Sequence, residues 1–184
     1  MENKLDLRFG TLTVIVLLAA FSRLLPHIPN VTAIAAMALF GGAYFSNKRL
    51  GLIIPLAAMF ISDIALYFIA DYAVFTTMRL VLYGSFALIA VIGMQLRGGV
   101  TGPRVLGASL AASVLFFVVS NFGVWALDAG KLFPLNAAGL LECYTVAIPF
   151  FRNTLIGDLV FVTVLFGGFE LAKAKIPALS RVKV

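Results

Sequence analysis

The sequence predicts an all-α polytopic membrane protein, and two observations carry that prediction. First, 62% of its 184 residues are hydrophobic and only 12% are charged, with a mean hydropathy of +1.07; a water-soluble domain is about half apolar and about a quarter charged. Second, Leu80 to Leu96 and Val105 to Leu127 run without a charged residue and without alternation of apolar and polar positions. In lipid every backbone N–H and C=O has to be satisfied within helices or a closed barrel. Barrel strands alternate with a period of two over about ten residues, so the uninterrupted runs select helices.

Turn signals divide residues 1–184 into a single domain of six predicted spans, each near the roughly 20 residues that cross the hydrocarbon core. These are Phe9 to Leu25, Val31 to Phe45, Leu50 to Ala70, Met78 to Leu96, Arg104 to Ser120 and Asn153 to Ala172, of which the first two are short. The segment Asn121 to Phe151 reads as a long outer connection holding a Gly/Trp/Asp/Lys loop and an apolar helical piece from Ala137 to Ile148. Lys4 and Arg8 precede Leu12 to Ala20 as in a signal peptide, but no A-x-A cleavage site follows and Arg23 stands where a small residue is wanted. The first helix is therefore expected to be retained.

Lys and Arg accumulate on cytoplasmic segments. With the N-terminus inside, ten basic residues (Lys4, Arg8, Lys48, Arg49, Arg97, Arg104, Lys173, Lys175, Arg181, Lys183) fall on the inner side and four (Arg23, Arg79, Lys131, Arg152) on the other. That count predicts both termini in the cytoplasm of a bacterial inner membrane. The net charge of +6 thus reports orientation in lipid; no basic run with interleaved aromatics points to nucleic acid. Small residues mark helix packing, since lipid supplies no hydrophobic drive between helices. Ala108 with Ala112 and Ser109 with Ser113 form such a face, and Leu39-Phe-Gly-Gly recurs as Leu165-Phe-Gly-Gly.

Charged side chains at membrane depth cost about 2.5 to 3.5 kcal/mol each on insertion scales and usually face the bundle interior with partners. Arg23, Arg79 and Arg152 against Asp63, Glu142 and Asp158 are predicted at one level in the outer half of the bundle. Positions four apart share a helix face, which adds Tyr67 to Asp63, Tyr83 to Arg79 and Thr154 to Asp158. Asn30, Asn121, Trp125, Tyr144 and Asn153 fall at the same level, in connections or at helix ends. A few convergent polar groups within aromatic walls is the make-up of a solute pocket. The candidate binding residues are therefore Arg23, Asn30, Asp63, Tyr67, Arg79, Tyr83, Asn121, Trp125, Tyr144, Arg152, Asn153 and Asp158. Two readings stay open here: the charges line a pocket, or they neutralise one another and fasten the bundle. The aromatic stretch Phe116 to Trp125 and the pair Phe150-Phe151 read equally as cavity wall or interfacial belt.

One cysteine, Cys143, and one histidine, His27, leave no recognisable metal-ligand spacing. No nucleotide-binding loop, no G-x-S-x-G and no H-E-x-x-H occurs. No metal, no cofactor and no catalysis is expected, although a carboxylate pair such as Asp63 and Asp158 can in principle relay protons.

Arg23-Leu-Leu-Pro-His-Ile-Pro-Asn30, Ala38-Leu-Phe-Gly-Gly-Ala-Tyr-Phe45, Ser120-Asn-Phe-Gly-Val-Trp125 and Pro149-Phe-Phe-Arg-Asn-Thr-Leu-Ile-Gly-Asp158 resemble a group of bacterial membrane proteins over almost the whole chain. That group is in turn similar to the substrate-binding S components of energy-coupling factor (ECF) vitamin transporters, nearest the cobalamin-specific ones. The resemblance implies a six-helix protein that binds a vitamin or related micronutrient in an outward-facing pocket and works with a membrane scaffold protein and two ATPases. Two family features are not in this chain: an A-x-x-x-A docking face between Phe9 and Leu25, and a cobalt-binding cysteine between Asp71 and Thr77. The alternative expectation is a proton- or ion-coupled transporter in which Asp63 and Asp158 titrate.

Overall fold

The computed structural model describes residues 2–25, 30–70 and 73–180, with side chains from residue 7 onward. The expectations attached to His27 and its flanking prolines, to Asp71, to Arg181 and Lys183, and to the side chain of Lys4 lie outside those residues. Among the described residues the chain is all helical. The helices are α1 (Glu2–Phe21), α2 (Ile34–Tyr44), α3 (Lys48–Ala70), α4 (Thr77–Met94), α5 (Gly102–Leu127), α6 (Ala137–Val162) and α7 (Gly168–Lys175). A π-helical turn, Thr163–Gly167, joins α6 to α7, and 3-10 turns follow α1 (Ser22–Leu24), α4 (Gln95–Gly98) and α7 (Pro177–Leu179).

Five helical stretches are long and apolar enough to cross a membrane: Leu7–Leu24, Lys48–Ala70, Thr77–Gly98, Gly102–Leu127 and Ala137–Lys175. The chain is a multi-pass membrane protein. Helix α2, with 11 residues, is different. At 1.5 Å per residue it is about 16 Å long, against a hydrocarbon core of about 30 Å. All of its residues are buried, and it packs against α1, α3, α4, α5 and α6, while these five touch in sequence as an arc around it. The predicted second span is thus a half-length central helix.

Backbone contact holds that helix in place. A Cβ on Gly42 would stand 2.1 Å from Ala90 O, and one on Gly93 would stand 2.3 Å from Leu39 O, so α2 and α4 meet main chain to main chain. The last carbonyls of α2 have no intrahelical donor. Arg97 supplies one from the α4 side, Nε to Gly42 O at 2.8 Å, and its Nη1 donates to Ser46 O, just past the helix, at 3.2 Å. Arg8 of α1 donates to Tyr44 O at 3.0 Å and also to Leu179 O, fastening the C-terminal 3-10 turn under the bundle. Cations belong at a helix C-terminus, where the dipole is negative.

The recurring Leu-Phe-Gly-Gly is half of a packing device. Phe40 and Phe166 meet edge to face, centroids 5.5 Å apart, with Phe169 closing the cluster. The glycines diverge: a Cβ on Gly41 would stand 2.3 Å from Pro55 Cγ, while nothing lies within 4 Å of one on Gly167 or Gly168. Likewise Ser109, Ala112 and Ser113 are buried, but Ala108 is only partly so.

The larger correction concerns residues 121–151. They do not form a long connection with a separate short helix. Helix α5 continues to Leu127, α6 starts at Ala137, and helical structure then runs unbroken for 39 residues to Lys175, passing through Pro149. A proline removes one backbone donor, and in lipid a continuous helix that leaves one carbonyl unpaired is far cheaper than a stretch of irregular backbone. At 39 residues this helix is about 58 Å long and α5 about 39 Å, so their facing ends project as a hairpin beyond the other helices. Asn136 caps α6 by accepting from Gly139 N, and Asp128 accepts from the amides of Leu132 and Phe133 in the turn.

Candidate solute site

Because α2 is short, the space above its N-terminus is not filled by helix. A cavity of about 360 Å³ opens there, floored by Ile34 and Ala35 and walled by α3, α4, α5 and α6. No side chain caps the first turn of α2.

Asp63 organises one side. It sits on α3, completely buried, and accepts from Arg23 Nη1 at 2.7 Å, Tyr83 Oη at 2.9 Å and Arg79 Nη1 at 3.4 Å. Arg23 reaches it because the 3-10 turn after α1 bends the chain inward, and its Nη1 also donates to Ser62 Oγ at 2.8 Å. Thr76 caps α4 by accepting from Arg79 N, and Arg79 Nε donates to Ala73 O. Asp63 does not face the cavity; Arg23 and Arg79 do. A buried carboxylate therefore presents two guanidinium groups to the cavity.

The opposite wall carries Asp158 of α6, 3% exposed, whose Oδ2 lies 2.6 Å from Ser113 Oγ of α5. Among the described residues Asp158 makes no ion pair. Between the two sides Phe86 and Phe116 stack with centroids 5.1 Å apart. Phe117, Phe150 and Phe151 complete an aromatic wall, with Asn30, Thr32, Ser120, Asn121 and Thr154 as its polar members.

Of the twelve candidate residues, the structure places Arg23, Asn30, Arg79, Asn121 and Asp158 on this cavity, with Asp63 and Tyr83 behind them. The others lie elsewhere. Four residues turn a helix by about 40° beyond a full circle, and near the end of α3 this carries Tyr67 out of the bundle: it is 52% exposed and packs on Phe68. Trp125 and Tyr144 belong to the projecting hairpin, where the indole donates to Pro134 O at 3.0 Å and the phenol to Val118 O at 2.8 Å. Glu142 and Arg152 are exposed, because an unbroken α6 sets them about 24 Å and 9 Å along its axis from Asp158 and turns them outward. Asn153 is partly buried and is not on the cavity wall. The six charges predicted at one level therefore reduce to a triad of Arg23, Asp63 and Arg79, with Asp158 apart and Glu142 and Arg152 outside. Ser62 and Ser113 were not foreseen as partners of the aspartates; Ser113 was legible only as a small packing residue.

Five membrane-length helices around a buried half-helix, with a polar-lined cavity above it, define a small multi-pass helical membrane protein built around an internal cavity. The chain belongs to the family of unknown function DUF6580, whose sequence profile matches residues 3–179. No curated protein and no solved structure matches it.

Proposed function

We propose that this protein is an integral membrane solute-binding protein of the S-component type, taking a vitamin or related micronutrient into the cavity above α2. The observation that carries the reading is the pair of arginines, Arg23 and Arg79, oriented by a buried Asp63 toward a cavity with an aromatic wall. Small-molecule sites are mostly apolar spaces of about 300 to 1,000 Å³ with a few fixed polar groups, and this cavity has both the size and the make-up. In this reading α2 counts as the second of six spans, both termini are cytoplasmic and the cavity faces outward across a bacterial inner membrane. The solute presents carboxylate, phosphate or carbonyl oxygens to the arginines and a flat apolar body to Phe86, Phe116 and Phe150. A scaffold protein and two ATPases would supply energy, since the chain has no nucleotide-binding loop.

The test is a thermal-shift screen of the purified full chain against a panel of water-soluble vitamins and their precursors, alongside mass spectrometry of small molecules released on denaturation. One compound should raise Tm in the native chain. Arg23→Gln should weaken its binding about ten-fold to more than a hundred-fold, the worth of a charge-assisted hydrogen bond of about 1.5 to 3 kcal/mol. No stabilising compound in the panel together with no released organic molecule would overturn the reading.

A further inference from the structure

The two aspartates of the bundle are held in opposite ways. Asp63 receives three donors, two of them cationic. Among the described residues Asp158 has one hydrogen-bond partner, Ser113 Oγ at 2.6 Å, and that hydroxyl has a second claim on it: Ser113 Oγ lies 3.0 Å from Ser109 O, the carbonyl one turn back on α5. A serine hydroxyl carries one hydrogen and two acceptor lone pairs. If that hydrogen goes to the Ser109 carbonyl, the habitual bond of a serine inside a helix, the hydrogen in the short contact to Asp158 has to come from Asp158 itself. Ser113 is fully buried, and Ser109 Oγ beside it is buried with no partner, so no other group on that side supplies a hydrogen.

The surroundings agree with the hydrogen count. Helix α5 has no acidic or basic residue between Val105 and Leu127. The only titratable group of α2 is Tyr44, at its far end and bonded to Glu170. On α6, Glu142 and Arg152 are exposed, and Cys143 and Tyr144 lie in the projecting hairpin. Arg23 and Arg79 share the cavity but are turned to Asp63, and neither is within ion-pair distance of Asp158. An ionised carboxylate without a cation at membrane depth is strongly disfavoured, and such a group neutralises instead.

We propose that Asp158 and Ser113 form a proton-binding site on the cavity wall, in which Asp158 is the neutral carboxylic acid and donates its hydrogen to Ser113 Oγ. Two carboxyl groups whose environments drive them to opposite protonation states is the arrangement that assigns one as a fixed charge and the other as a proton carrier. Asp63 is the fixed charge that holds the arginines; Asp158, reachable from the cavity, exchanges a proton with it. The site requires no particular solute and stands whether or not the vitamin reading does.

Infrared spectroscopy of the purified full chain in lipid nanodiscs tests this directly. The difference spectrum between the native chain and Asp158→Asn at neutral pH should contain a carboxylic-acid C=O band belonging to the native chain, and raising the pH should convert it to carboxylate absorption. Asp63→Asn should remove no such band. Ser113→Ala, which deletes the acceptor, should move the Asp158 band to higher frequency, and this variant serves equally should Asp158→Asn fail to fold. A second readout is labelling by a hydrophobic carbodiimide, which adds to protonated carboxyl groups: the adduct should map to Asp158, decline with rising pH and be missing from Asp63. A native spectrum whose acid band is unchanged in both Asp158→Asn and Ser113→Ala would overturn the proposal.

Discussion

Neutralising Asp63 should be the most damaging conservative substitution in the protein. In Asp63→Asn the shape is kept, but one of the two oxygens becomes an NH₂ that meets a donor whichever way the amide turns. If the oxygen faces Arg23, the NH₂ faces Tyr83 and Arg79; in the other rotamer it meets the Arg23 Nη1 that now lies 2.7 Å from Oδ1. Arg23 is then a buried cation held only by Ser62 Oγ. Removing one partner of a buried pair typically costs about 3 to 5 kcal/mol. At about 2 to 4 °C per kcal/mol for a chain of this size, Tm should fall by roughly 6 to 20 °C. The assay is thermal unfolding in detergent followed by tryptophan fluorescence, Trp125 being the only tryptophan. Arg23→Gln should cost a similar amount, and Arg79→Gln less, since its contact with Asp63 is 3.4 Å. The double variant Arg23→Gln/Asp63→Asn should be less damaged than the two single losses added together, with a coupling of up to about 3 kcal/mol. A fall below about 2 °C for Asp63→Asn, or simple additivity in the double variant, would refute the idea that this carboxylate orients the arginines.

Other substitutions probe the remaining joints. Gly42→Ala or Gly93→Ala places a methyl group against a carbonyl oxygen of the facing helix, at 2.1 and 2.3 Å, and should lower stability by about 1 to 3 kcal/mol or more; Gly84→Ala, with nothing within 4 Å, should gain about 0.5 to 1 kcal/mol. Melting curves of the three variants decide, and equal shifts would count against main-chain packing of α2 on α4. Ala112→Leu, at a completely buried position, should loosen the bundle, while Ala108→Leu, partly buried, should be better tolerated in the same assay. Arg8→Met removes the donor that holds both Tyr44 O and Leu179 O, so limited trypsinolysis after Lys173 and Lys175 should be faster than in the native chain; an unchanged rate would show that the C-terminal turn is held by other contacts.

The apolar runs, the buried charges and the short second segment were all legible in the sequence, because each reports a cost that lipid imposes on a single residue or a single stretch. Asp63, Arg23 and Arg79 stood out for that reason. What was not legible depended on one rule and its consequences: the loop around Gly130 and Lys131 is where the reading puts it, but the helical piece Ala137 to Ile148 is closed before Pro149 and the fifth span at Ser120 by criteria suited to water, where a loop satisfies its backbone with solvent. Once α6 is continuous, Glu142, Tyr144 and Arg152 move off the predicted level and Trp125 goes with them. The aromatic stretch could not be divided from sequence, and the structure divides it within α5: Phe116 and Phe117 line the cavity while Trp125 is tied to the hairpin turn.

The position of the cavity follows from the length of α2. Helix α2 begins only at Ile34, and the cavity of about 360 Å³ lies above that end. Two constraints keep α2 from sliding up to fill it. Gly42 and Gly93 fix its height against α4 by main-chain contact, and Arg97 and Arg8 hold its last carbonyls at the opposite end. The arginines that anchor the lower end and the arginines that face the cavity are separate pairs doing separate jobs. Substitutions at Arg8 or Arg97 should therefore alter stability and the seating of α2, whereas changes at Arg23 or Arg79 alter, besides stability, what the cavity can hold.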